Sequence, residues 1–153
     1  MGRRQKLVAK AADVMVPGDE VQLTAMAKLG NIAARAADSA MVAVASGVVM
    51  AALGGGVGFV GLSQREVYIV LTKYQVIFFS NIPSTGGVGK HLASFDRSRV
   101  SVEEPSGSLF VRYRFMAEGF DQPLQLTFPP IPPSLRKEGR LLAAALPRPR
   151  PSN

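Results

Sequence analysis

The chain has 153 residues, room for one domain with a real core and one insertion. Cysteine is absent, which excludes disulfides, thiolate metal sites and a cysteine nucleophile and fits a reducing interior. The net charge of +7 suits acidic surroundings such as anionic lipid headgroups or nucleic acid, and serves solubility equally well.

Residues 1–17 form a basic, alanine-containing arm with the pattern of a short helix, ending at Pro17-Gly18. No apolar core of signal-peptide length follows the basic opening before Asp13, so no secretory signal is expected. Val21 to Leu29 alternates apolar odd positions with polar Gln22, Thr24 and Lys28, broken only by Met26. That periodicity favours a strand, although Ala, Met, Leu and Lys also suit a helix. Gly30-Asn31 then marks a turn.

Ile32 to Leu53 reads as an alanine-rich helix within an insertion covering 31–63. No ionisable residue occurs between Asp38 and Arg65, so 39–64 is an uncharged segment long enough to cross ~30 Å of hydrocarbon as a helix. Ala43, Gly47, Ala51 and Gly55 recur every four residues, a small-residue stripe that permits close helix approach. Gly54-Gly55-Gly56 splits the run, which argues against a simple span. Two readings stand. Val48, Val49, Leu53, Val57 and Phe59 contact a membrane, or the same residues pack against the sheet or a second copy of the chain.

Beyond the insertion the text turns to strands. Glu66–Thr72 (EVYIVLT) and Gln75–Ser80 (QVIFFS) flank a two-residue turn, a hairpin of β-branched and aromatic residues. Lys90–Phe95, Ser98–Glu104, Leu109–Met116 and Pro123–Phe128 follow, which with Val21–Leu29 makes seven strands joined by brief turns. Such a meander must bend or close to bury its apolar face and edges. PPIPP at 129–133 is a stiff extended connector. Ser134 is then expected to cap a helix, LRKEGRLLAAAL, whose Leu135, Leu142 and Leu146 share an inward face. Gly139 weakens that helix by roughly 1 kcal/mol relative to Ala. The tail at 147–153, PRPRPSN, is expected to be extended or disordered.

The text YIVLTKYQVIFFS followed by GKHLASFDRSRVSVEE resembles the bacterial pleckstrin-homology-like domains over residues 66–146, and more weakly over 20–29. The resemblance implies an α+β, mostly β fold spanning 18–146: a bent antiparallel sheet or barrel of seven strands with a C-terminal helix. The Ala/Gly-rich helical insertion would sit after the first strand, at the end of the fold where ligand loops gather. Gln75 stands where many relatives carry arginine. Only Lys28, Arg65 and Lys73 lie near the basic positions that lipid-binding members use, so phosphoinositide recognition is not implied. The superfold hosts many functions.

Thr85-Gly86-Gly87-Val88-Gly89-Lys90-His91 is similar to the variant phosphate loop of partitioning ATPases, but lacks both the leading lysine and the hydroxyl that binds magnesium. No helix follows it, so it reads as a glycine-rich hairpin loop and nucleotide binding is not expected. His91 is the sole histidine and reads as a loop-edge residue, so a histidine cluster for metal is excluded. Glu103 and Glu104 are strand neighbours pointing to opposite faces, which prevents joint acid–base work. No cofactor and no catalytic role are expected.

On Leu109–Met116, Val111, Tyr113 and Phe115 point one way and Arg112 and Arg114 the other. With Arg97 and Arg99 these form a candidate surface for an anionic membrane, against the simpler pairing of Arg112 and Arg114 with Glu103 and Glu118. The aromatics face inward rather than interleaving with the arginines, so nucleic acid is not an expected partner. The sequence thus reads as a cytoplasmic interaction module. It is membrane-associated through 39–64 and the basic face, or else a soluble domain that binds a protein partner or itself.

Overall fold

The computed structural model describes residues 2–29, 66–82, 85, 87–118 and 123–149. Seven strands form one antiparallel sheet: β1 (Val21–Leu29), β2 (Glu66–Thr72), β3 (Gln75–Ile82), β4 (Gly87–Asp96), β5 (Val100–Val102), β6 (Val111–Ala117) and β7 (Leu124–Phe128). Their order is β4-β3-β2-β1-β7-β6-β5, flanked by helices α1 (Arg3–Ala12) and α2 (Pro133–Ala145). The expected strand at 21–29 is present, and the mostly-β plan with its closing helix is the one the resemblance implies. The insertion at 31–63, and Val48, Val49, Leu53, Val57 and Phe59 within it, lie outside the described residues.

β1 pairs with β2 along most of its length but meets β7 only through Lys28 and Leu29. The sheet therefore bends into a half made of β1–β4 and a half made of β5–β7, with α2 packed against β1, β6 and β7. Leu135, Leu142 and Leu146 of the α2 region are all buried, as the helical spacing predicts. Phe78 on β3, Phe95 on β4 and Phe115 on β6 meet edge to face, with centroids 5.3–5.7 Å apart. Their contact bridges β4 and β6, which no ladder hydrogen bonds join.

Several boundaries differ from the sequence reading. β4 begins at Gly87, earlier than Lys90, and takes in the glycines as sheet residues. A side chain at Gly89 would collide with the Ser80 hydroxyl and carbonyl, where β3 and β4 change register. β5 is shorter than 98–104 because the Asp96 carboxylate accepts from Ser98 N (2.9 Å) and Ser98 Oγ (2.7 Å), coiling Arg97–Arg99 into a 3₁₀ turn. Ser134 does not cap α2: the helix begins at Pro133, with Pro132 at the cap position and no side-chain cap. Proline suits that first position because its missing N–H has no helical partner there.

The largest departure concerns α1. Leu7 and Ala11 are buried beneath Tyr68, Val70, Ile77, Phe79 and Val88, forming a second apolar cluster with partly buried Val14, Met15, Val21 and Met26. The helix therefore covers the outer face of β1–β4. Asp19 fastens the linker behind it: its carboxylate accepts from Thr72 Oγ1 (2.7 Å), Tyr74 N (3.1 Å) and Glu20 N (2.9 Å). Met26 broke the alternation of β1 because its outward face is also covered.

Candidate functional site

The pairings sort the loops onto two ends of the fold. Lys28 lies opposite Glu66 and Ile82 opposite Gly87, so the 30–65 connection and the β3–β4 loop share one end. Leu29 lies opposite Leu126 in the antiparallel β1–β7 pair, so the start of β7 and the end of β6 point to that end, while Arg136 Nη1 donates to Ser108 O (2.9 Å) and ties the β5–β6 loop to the start of α2. The β2–β3 turn, the 3₁₀ turn and the end of α2 occupy the opposite end, where Arg97 joins them.

This division separates the four candidate arginines. Arg97 is committed internally: Nη1 donates to Gln22 Oε1 (2.6 Å) and Thr72 O (2.9 Å), and Nη2 to Ala145 O (3.1 Å). Each donor it gives to the fold is one withheld from a ligand. Arg99 is exposed on the same end, beside Asp96, whose carboxyl sits below the usual range through its hydrogen bonds to Ser98, aided by that arginine. Arg114 is midway along β6 and forms an ion pair with Glu103 at 3.0 Å, the simpler of the two expected roles. Arg112 lies near the start of β6, stacked over the Phe110 ring at 5.5 Å.

A basic residue missed by the sequence reading of this face accompanies Arg112. Thr127 is opposite both Lys28 on β1 and Arg112 on β6, so the three side chains form one outward cross-strand row. The two cations stand two strand spacings apart, ~10 Å. Both are exposed. The signal was available in sequence only as Lys28, the polar break in an alternating strand. What could not be read is that the β1–β7 junction brings it beside Arg112.

Gly87 to His91 of the glycine-rich segment lie in β4, which pairs antiparallel with β3. Lys10 Nζ donates to Gly89 O (2.7 Å), and Lys90 N donates to Ser80 Oγ (2.9 Å). The backbone amide of Lys90 is thus used in the fold, and a strand stands where a phosphate loop needs a helix. His91 is a mid-strand residue rather than a loop-edge one. Its Nε2 shares a 2.7 Å hydrogen bond with Ser94 Oγ, and its ring leans on Phe79. Burial holds its pKa below the ordinary histidine value. Among the described residues no group of His, Cys, Asp and Glu is arranged to hold a metal ion.

Three of the surface grooves among the described residues bear on candidate sites. One of ≈ 570 Å³ lies at the β2–β3 turn between Tyr74, Gln75, Asp96 and Pro147; Gln75 Oε1 is buried there without a protein partner among the described residues. A second, ≈ 270 Å³, runs between α1, β1 and α2, with Arg4 and Glu138 on its walls. Burial raises the Glu138 carboxyl above its ordinary value, and Arg4 opposes that shift. The third, ≈ 390 Å³, follows β5 and holds Arg99, Glu118 and Arg148. No helix among the described residues is long and apolar enough to cross a membrane.

No protein-family model and no curated protein matches the chain. Among solved structures it is similar to a crystal structure of a pleckstrin homology domain from Shewanella amazonensis SB2B. The two share 15% sequence identity at a TM-score of 0.42, over 88% of this chain and 96% of that one. The seven-stranded antiparallel sheet and the closing C-terminal helix described above agree with the plan expected from the sequence resemblance.

Proposed function

We propose that the chain is a non-catalytic interaction module that associates with anionic membranes through its uncharged 39–64 segment and the basic strand face beside it. The observation carrying this reading is the pairing of Lys28 with Glu66, which fixes both ends of the 30–65 connection at one end of the sheet. A single crossing would set those ends apart by ~30 Å of hydrocarbon. The segment therefore contacts a bilayer by dipping into it or lying on it, an arrangement suited to an apolar stretch next to basic residues. Lys28, next to the start of the connection, shares an outward cross-strand row with Arg112, which supports an electrostatic contribution there; Arg97 and Arg99 lie at the far end.

Vesicle flotation tests the reading. Wild-type protein is expected to float with phosphatidylserine-containing vesicles, and Val49→Asp or Val57→Asp to abolish flotation while circular dichroism stays unchanged. Protein that remains in the soluble fraction with anionic vesicles overturns membrane association. In that case 39–64 becomes a packing element of a protein-binding or self-associating domain. Flotation that survives both substitutions but disappears in high salt assigns binding to the basic residues alone.

A further inference from the structure

β5 ends the sheet, and an edge strand offers unpaired backbone groups to any extended segment that fits. Here Pro147, the second residue beyond α2, takes that place. Val102 N donates to Pro147 O at 2.9 Å, and Arg148 Nε donates to Glu104 Oε2 at 2.8 Å. Arg148 Nη1 also reaches Ala143 O (2.8 Å) and Leu146 O (3.4 Å). Pro147 to Pro149 thus lies beside the edge of β5 along the ≈ 390 Å³ groove.

The contacts that hold this segment are weak. The carboxylate of the ion pair is 80% exposed and the guanidinium 38%, so water screens the attraction. One ladder hydrogen bond accompanies it, and proline supplies no N–H to make another. Leu146, by contrast, is buried in the core and ends the firmly held part of the chain.

We propose that the β5 edge, with Glu104 and Glu118, is a docking site for an extended peptide carrying proline and arginine, and that Pro147–Pro149 occupies it in cis as a releasable plug. The plug supplies the template: a carbonyl for Val102 N, then an arginine for Glu104. The groove beside it leaves room for further peptide side chains, with Glu118 on its wall to favour a second cation. A free peptide competes with a tethered copy of the same chemistry, so the plug lowers apparent affinity by the fraction of time it occupies the edge. The tie also depends on the charge of Glu104, whose carboxyl the Arg148 hydrogen bond holds below its ordinary value. Acidification through that lowered value discharges the carboxylate and releases the plug.

Fluorescence anisotropy with a labelled LPRPRPSN peptide, the sequence of residues 146–153, tests the site on the full chain. Arg148→Glu turns the plug's own charge against Glu104 and is expected to bind the peptide about tenfold more tightly than wild type. Glu104→Arg is expected to lose the peptide but to bind LPEPRPSN, whose acidic residue matches the reversed site. Absence of binding to Arg148→Glu at millimolar peptide, with circular dichroism unchanged, overturns the proposal. So does equal binding of LPRPRPSN by wild type, Arg148→Glu and Glu104→Arg. Should Arg148→Glu fail to fold, the pairing of Glu104→Arg with LPEPRPSN decides, and its failure to bind overturns the site.

Discussion

Among the described residues, the β1–β4 half of the sheet is covered on both faces, whereas the β5–β7 half is covered on one. On β2 every residue from Val67 to Thr72 is buried, because the core takes one face and the α1 cluster lies over the other. On β6 burial alternates: Val111, Tyr113 and Phe115 are inside, while Arg112 and Arg114 are exposed. The same antiparallel geometry thus produces a continuous apolar run in one half and a strict alternation in the other. A strand closed on both faces has little to offer a partner. The half that keeps a wet face carries the arginines, the β5 edge and the plug.

The contrast breaks first at the aromatic triangle that binds the halves together. Phe78→Ala removes the ring shared by Phe95 and Phe115 and is expected to cost about 3–5 kcal/mol in urea unfolding. A loss under 1 kcal/mol would mean the halves do not depend on that junction. Next comes the cover over β1–β4. Leu7→Ala is expected to cost about 2–3 kcal/mol, while Arg112→Ala on the wet face stays within about 0.5 kcal/mol. Equal effects would erase the distinction between the two outer faces.

Gly139→Ala tests how closely α2 approaches the β5–β7 half. Helix propensity alone favours alanine by roughly 1 kcal/mol. However, the added methyl group would overlap the Phe128 ring, so a net loss of about 1–3 kcal/mol is expected. The smallest effect belongs to Glu138, in the groove between α1 and α2. Its raised carboxyl contributes stability below the ordinary glutamate value, and that contribution is lost as pH rises through the shifted one. Glu138→Gln is therefore expected to raise the urea midpoint slightly at neutral pH, with the gain vanishing in acid. A gain that persists unchanged in acid would show that ionisation of Glu138 is not its source.

The strands were legible because their signals are local. EVYIVLT matches β2 residue for residue, and the alternation of 111–116 assigned the inner and outer sides of β6 correctly. The uninterrupted apolar runs of β2 and β3 also carried the signal of a second covered face, although nothing local says that Leu7 and Ala11 provide the cover. Gly139 looked like a helix defect by propensity. In the fold it admits the Phe128 ring, and its carbonyl accepts from the buried Tyr113 hydroxyl at 2.7 Å. Arg97 looked like a surface cation, yet its three acceptors come from β1, β2 and α2, elements up to 75 positions away in sequence. Such roles depend on tertiary neighbours, which periodicity does not encode.

The register of β1 against β2 has a consequence for chain length. With Lys28 and Glu66 already at ladder distance, the closure of this connection is enforced by the sheet itself. For a flexible chain each doubling of loop length adds only ~0.6 kcal/mol of closure entropy. The hairpin is thus a port at which long or short cassettes can be carried at nearly equal stability, and a two-residue Asn-Gly turn would span the same gap.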